Sequence, residues 1–239
     1  HNFPNTIQLG DVINISSKNL HQIDLLIGGS PCQGFSFAGK QLNFDDPRSK
    51  LFFEFIRLKN ELNPKYFLLE NVIMKKEYQD IISEHMGVQP VKINSANFLP
   101  QNRPRLYWTN INIKEIPNNK YKLSDILLDD DFIDLDKFKL SEKGIAYMNR
   151  YRKDKVRWEY HKNPLDGNAA CLTANMYKGT PYGVIKEKLR RLHPIECERL
   201  QGVPDNYTSV VSNTQRYKML GNGWTVNVIE HIFSSLKIK

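Results

Sequence analysis

The chain has 239 residues, 40% hydrophobic and 25% charged, enough for one full domain with or without a small accessory one. Thirteen Gly and twelve Pro exclude a collagen-like or low-complexity chain, and no run approaches the ~18 uninterrupted apolar residues of a membrane span. A net charge of +8 suits a polyanionic partner without establishing one, and three scattered cysteines, Cys32, Cys171 and Cys197, exclude a disulfide framework and point to a reducing, cytoplasmic setting.

In chain order, Ile23-Asp24-Leu25-Leu26-Ile27 reads as a buried strand closed by Gly28-Gly29. Leu51 to Leu62 carries apolar residues at the spacing of an amphipathic helix, which Asn63-Pro64 ends. Tyr66 to Leu69 is a second strand, Glu77 to Met86 a second helix stopped by Gly87, and Val91–Ile93 and Leu106–Trp108 are further strands. This alternation predicts a parallel α/β sheet with helices on its faces. From about Asn112 to Lys188 the rhythm is lost. An acidic run through Asp129, Asp130, Asp131, Asp134 and Asp136 gives way to a basic run interleaved with aromatics, from Tyr147 to Lys162. Order returns at Leu189, with Pro194 as a first helical residue, Gly202 as a stop, and a last helix from Thr225 to Leu236. The expected segments are therefore 1–111, 112–188 and 189–239.

Ligands of an open parallel sheet bind outside the carboxyl ends of its strands. The first strand runs into Ser30-Pro31-Cys32-Gln33 and the second into Glu70-Asn71-Val72. A right-handed crossover between them puts both ends on one edge, so Cys32 and Glu70 would share a crevice as nucleophile and proton source. Each has a plainer reading. A lone Cys is usually a small buried hydrophobe, a carboxylate after a strand is often a helix cap, and Gln101-Asn102-Arg103-Pro104-Arg105 could be a solvated turn. Their combination and order are what chance does not readily supply.

These residues resemble the cytosine-5 DNA methyltransferases, over almost the whole chain. Gly28 to Lys40 (GGSPCQGFSFAGK) is similar to the family's nucleophile motif, Glu70-Asn71-Val72 to its Glu-Asn-Val motif, and Gln101-x-Arg103-x-Arg105 to its Gln-x-Arg-x-Arg motif. Arg191 to Asp205 resembles the motif that supports the recognition domain, Gln215 to Val226 the closing motif, and Gly10-Asp11-Val12 the short element whose acid contacts the cofactor adenine. The closing motif reads Asn222-Gly223-Trp224, as in the eukaryotic de novo enzymes, where many bacterial members have Asn-Ser-Val.

The resemblance implies a doubly wound, mainly parallel Rossmann-like sheet with a small irregular target-recognition domain. It implies methyl transfer from S-adenosylmethionine to carbon 5 of a flipped-out cytosine in double-stranded DNA. Cys32 would attack ring carbon 6, Glu70 would hold ring nitrogen 3, and Arg103 and Arg105 would orient the base and favour the thiolate. Cofactor contacts are expected at Asp11, Pro31, Asn222 and Trp224, and DNA contacts at Gln33, Ser36, Arg150, Arg152, Lys153 and Lys155. A solvated helix face is the plainer reading of the basic run. No metal or membrane is implied, and a cognate restriction endonuclease is a candidate second partner. A tRNA-methylating relative and an inactive DNA-binding remnant are the alternatives. The Phe-x-Gly-x-Gly loop and the strand bearing a ribose-binding acid have no counterpart before Gly10, so the sequence is expected to be N-terminally incomplete, to lack a central strand and to bind S-adenosylmethionine weakly.

Overall fold

Apolar periodicity and short connections sort the chain into two units in the computed structural model, which describes residues 1–30, 51–132, 134–161 and 163–237. The first unit comprises the described residues within 3–93, 104–114 and 232–239. The second comprises those within 1–2, 94–103 and 115–231.

In the first unit, β1 (Leu25–Gly29), α1 (Leu51–Leu62), β2 (Tyr66–Val72), α2 (Lys76–Met86) and β3 (Val91–Asn94) follow in order. After the two-residue β4 (Gln101–Asn102), which lies in the second unit, β5 (Pro104–Thr109) returns to the sheet. The strand order is β1-β2-β5-β3. α1 buries Phe52, Phe55, Ile56 and Leu58, a stripe at helical spacing. α2 ends on Gly87, whose φ of 74° provides the left-handed cap and whose N–H donates to the Ser83 carbonyl. Both helices pack on Phe67, Leu69, Leu106 and Trp108, and the Trp108 indole N–H is satisfied by Ser83 Oγ at 2.9 Å.

The sheet is mixed where the alternation predicted it parallel. β1 and β2 are parallel, whereas β5 runs antiparallel to β2. The connection from β3 to β5 is only residues 95–103, too short for the crossover of a dozen or more residues that a parallel pair needs.

The second unit is built from short pieces: α3 (Glu142–Asn149), β6 (Tyr151–Arg152), β7 (Lys155–Val156), α4 (Arg157–Tyr160), β8 (Ala169–Ala170), β9 (Val184–Ile185) and β10 (Arg190–Arg191). Then come α5 (Pro194–Gln201), α6 (Asn213–Asn222) and α7 (Val226–Phe233). β4 pairs parallel with β8, while β6–β7 and β9–β10 are antiparallel ribbons. Pro194 opens α5 and Gly202, at φ 74°, closes it. The last helix stops at Phe233, short of the expected Leu236.

Residues 189–231 cluster with 115–188, not with the sheet. The reason is a shared core: Cys197 and Leu200 of α5 and Tyr217 and Leu220 of α6 pack with Leu123, Leu172, Met176 and Leu192. Burying these apolar faces together outweighs the order in which they occur along the chain.

Candidate active site

The register of the sheet sets up the site. Gly29, at the end of β1, lies opposite Glu70 of β2. One residue on, Asn71 donates from Nδ2 to Ser30 Oγ at 2.9 Å and ties the two strand ends together. In β5, Tyr107 lies opposite Glu70 and Arg105 opposite Val72. Period-two alternation then places Arg105 and Tyr107 on the face of Glu70, with Arg105 as its diagonal neighbour. Arg105 Nε meets Glu70 Oε1 at 2.9 Å, with side chains 14% and 12% exposed. The same alternation turns Phe67, Leu69, Leu106 and Trp108 to the opposite face, against the helices. An apolar core on one face thus holds an ion pair in place on the other.

Beside the end of β1 opens a cavity of about 360 Å³, lined by Val12, Leu26, Gly28, Ser30, Phe55 and Leu58 among others. At Gly28 a Cβ would stand 2.8 Å from the Phe55 ring, so the close approach of backbone to aromatic requires glycine there. Asp11 directly precedes Val12, one of the lining residues. Its carboxylate accepts from the Ile13 N–H at 3.1 Å and caps the turn Val12–Asn14, and Arg57 donates to the Val12 carbonyl to hold that turn against α1.

The other expected site residues belong to the second unit or fall outside the described residues. Arg103 belongs to the second unit and is 3% exposed. Its guanidinium donates to the carbonyls of Leu172 (2.9 Å), Gly221 (3.2 Å) and Gly223 (2.8 Å) and to Cys171 Sγ (3.2 Å). Gln101 does similar work, donating to the Leu200 carbonyl and accepting from the Leu172 N–H. Asn222 is exposed at the end of α6, and Trp224 is half-buried beyond it. Arg150, Arg152, Lys153 and Lys155 are exposed on and beside the β6–β7 ribbon. Pro31, Cys32, Gln33 and Ser36 lie outside the described residues. Among the described residues no group of three or more His, Cys, Asp or Glu is placed to hold a metal, and no helix is long and apolar enough to cross a membrane.

A model of the C-5 cytosine-specific DNA methylases matches residues 1–120 and 82–238. The chain belongs to that family. Among its relatives, the Type II methyltransferase M1.ScrFI of Lactococcus lactis subsp. cremoris is 34% identical over 93% of this chain and 64% of its own length. The Type II methyltransferase M.HhaI of Haemophilus parahaemolyticus is 27% identical over 93% of this chain and 78% of its own. The chain thus spans about two thirds to three quarters of the curated relatives it matches. The fold is shared with an Escherichia coli prophage protein assigned as a DNA modification methyltransferase, at a TM-score of 0.66 and 22% identity over 95% of this chain and 84% of that one.

In this methylase chain, sequence reasoning missed two groups of residues. The Asn71–Ser30 tie was foreshadowed only by a buried amide directly after the acid of β2. The second group is a set of buried charges around α5. Glu196 accepts from the N–H groups of Leu128 and His193 and from both terminal nitrogens of Arg190. Glu198 accepts from the N–H groups of Asn206 and Thr208, the Thr208 hydroxyl and Arg216. Two acids in a run otherwise read as a helix were the sole signal, since their partners lie in other elements.

Proposed function

We propose that this methylase transfers a methyl group from S-adenosylmethionine to carbon 5 of an everted cytosine in duplex DNA, through a covalent adduct at Cys32. The observation that carries the reading is the Glu70–Arg105 pair in register with Gly29, three residues before Cys32 in sequence. Membership of the cytosine-specific family supports it, and the duplex must yield the target base at a cost of a few kcal/mol.

Each residue has a defined task. The Cys32 thiolate adds to carbon 6 and pushes an electron pair toward carbon 5 and ring nitrogen 3. Glu70 hydrogen-bonds nitrogen 3 and takes up part of that developing charge, and Arg105 fixes the orientation of Glu70. Once carbon 5 is methylated, loss of its proton to a base returns the electron pair and expels the thiolate. The apolar cavity behind Ser30 suits the adenosine portion of the cofactor, with Asp11 next in sequence to its lining residue Val12. When bound there, S-adenosylmethionine supplies the methyl carbon. The Type II designations of the relatives suggest a cognate restriction endonuclease as second partner.

Duplex DNA carrying 5-fluorocytosine tests the proposal, because fluorine at carbon 5 cannot leave as a proton and the adduct persists. The protein should form a covalent complex with that duplex, and Cys32→Ala should form none. An adduct formed preferentially on transfer RNA would overturn the substrate, and no adduct on either would leave a binding protein without chemistry.

A further inference from the structure

We infer that the β6–β7 ribbon is the element that enters a groove of the duplex, with Tyr151 on base edges, Arg150, Lys153 and Lys155 on phosphates, and Arg157 as the positioning residue that fixes the ribbon. The inference rests on the DNA-methylating reading above and assigns its recognition surface. Residues 150–157 hold five cations and one acid. The acid, Asp154, is engaged by the Tyr160 hydroxyl at 2.8 Å. A two-stranded ribbon fits a major groove about 12 Å wide, and here Tyr151 pairs with Val156 and Arg152 with Lys155. Lys153 sits at the turn with φ 61°, so the tip is tight.

The base of the ribbon is rigid and the tip is open. Val156 packs against the cluster of Met148, Trp158 and Val184, and the Trp158 indole donates to Asn149 Oδ1 at 2.9 Å. Arg157 crosses beneath. Its guanidinium lies 4.3 Å from the Tyr147 ring centroid and donates to the carbonyls of Arg150 and Tyr151. One cation is therefore committed to holding the ribbon, while the side chains of Arg150, Lys153 and Lys155 are exposed. Tyr151 is 71% exposed, the most open aromatic among the described residues. An aromatic so exposed adds little to folding. Its ring and hydroxyl offer apolar and hydrogen-bonding contact to a base, which flanking lysines can only attract through the backbone.

Binding of the full chain to a pool of random-sequence duplexes separates these roles without requiring turnover. Replacing Lys153 and Lys155 together by Gln should reduce the slope of log affinity against log salt by about 2, equally for every sequence. Tyr151→Ser should leave that slope and the melting temperature unchanged while reducing the enrichment of preferred sequences about tenfold. Arg157→Lys keeps the charge but loses the planar stack, so selectivity should fall with the salt slope intact. Unaltered enrichment in Tyr151→Ser, or an unaltered slope in the double variant, overturns the ribbon assignment. If the wild-type protein still traps 5-fluorocytosine duplex in that case, the proposed function stands. A wild-type protein that neither enriches any sequence nor traps duplex overturns both.

Discussion

Two ion pairs made of the same residue types occupy opposite situations. Glu70 and Arg105 meet at the rim of the sheet with side chains 12% and 14% exposed. Glu196 and Arg190 meet with 0% and 4% exposed, and the Glu196 carboxylate also accepts two backbone N–H groups. A carboxylate filled by four donors and sealed from solvent binds elements together and has no capacity to meet a ligand. Glu70, set on the face of β2 opposite the apolar core, is oriented by its arginine and keeps slightly more exposure. Neighbouring charges are thus sealed into the architecture in one region, and in the other form the pair we propose for chemistry.

The largest expected effect tests the Glu70–Arg105 pair. Glu70→Gln keeps the shape and removes the charge, so turnover on duplex DNA should fall about 10²–10⁴-fold, with a small change in melting temperature. If the melting temperature falls steeply and turnover survives, Glu70 belongs with the architecture. The sealed pair should respond the other way. Glu196→Ala leaves Arg190 buried without its carboxylate, when Arg190 Nε already has no hydrogen-bond partner among the described residues. Urea titration should show a loss of about 3–5 kcal/mol. A loss below about 1 kcal/mol, as for exposed pairs, would mean that the pair is not the keystone of α5.

The Gln-x-Arg-x-Arg motif crosses both situations within five residues, and it marks where the sequence stops being legible. α1, β2 and α2 were readable because local periodicity and the Asn63-Pro64 and Gly87 stops suffice to define them. The reversal of β5 was not, because apolar alternation is the same in either direction and the connection decides. Strands of two residues such as β6 and β8 are too short to show a period at all. Arg105 entered as a candidate only through the resemblance of its motif, and it is the register of β5 on β2 that sets it diagonal to Glu70. The carbonyl partners of Arg103, Leu172 and Gly223, stand 69 and 120 positions away in sequence. No local pattern encodes them.

Paired substitutions sharpen that division at a smaller scale. Arg103→Lys cannot reproduce a fork to three carbonyls, and should lower stability by about 2–3 kcal/mol. Its turnover per folded molecule should change little. Arg105→Lys should change stability by less than about 1 kcal/mol while lowering turnover about tenfold through a less firmly held Glu70. Chemical denaturation and single-turnover rates measured on both variants decide the matter. If Arg103→Lys loses turnover at unchanged stability, its guanidinium acts on the reaction after all.

The smallest expected effect concerns protons in the sealed region. His193 caps α5, accepting from the Ile195 N–H at Nδ1 (3.2 Å), and is 5% exposed between Phe132 and Phe138. Burial holds its pKa below the ordinary 6.5; Arg216 and Arg190 push the same way, against Glu196 and Asp134. Below pH 6.5 the unfolded chain therefore takes up a proton that the folded chain resists. Stability is fully present above 6.5 and is lost as pH falls from there toward the folded value. His161, lowered by burial and by Arg152 and Arg157, contributes with the same sign. His193→Asn retains a cap acceptor and removes the titration. The variant should melt lower throughout but lose less between pH 7 and pH 5 than the wild type does. Parallel melting curves against pH would transfer the acid sensitivity in this range to His161.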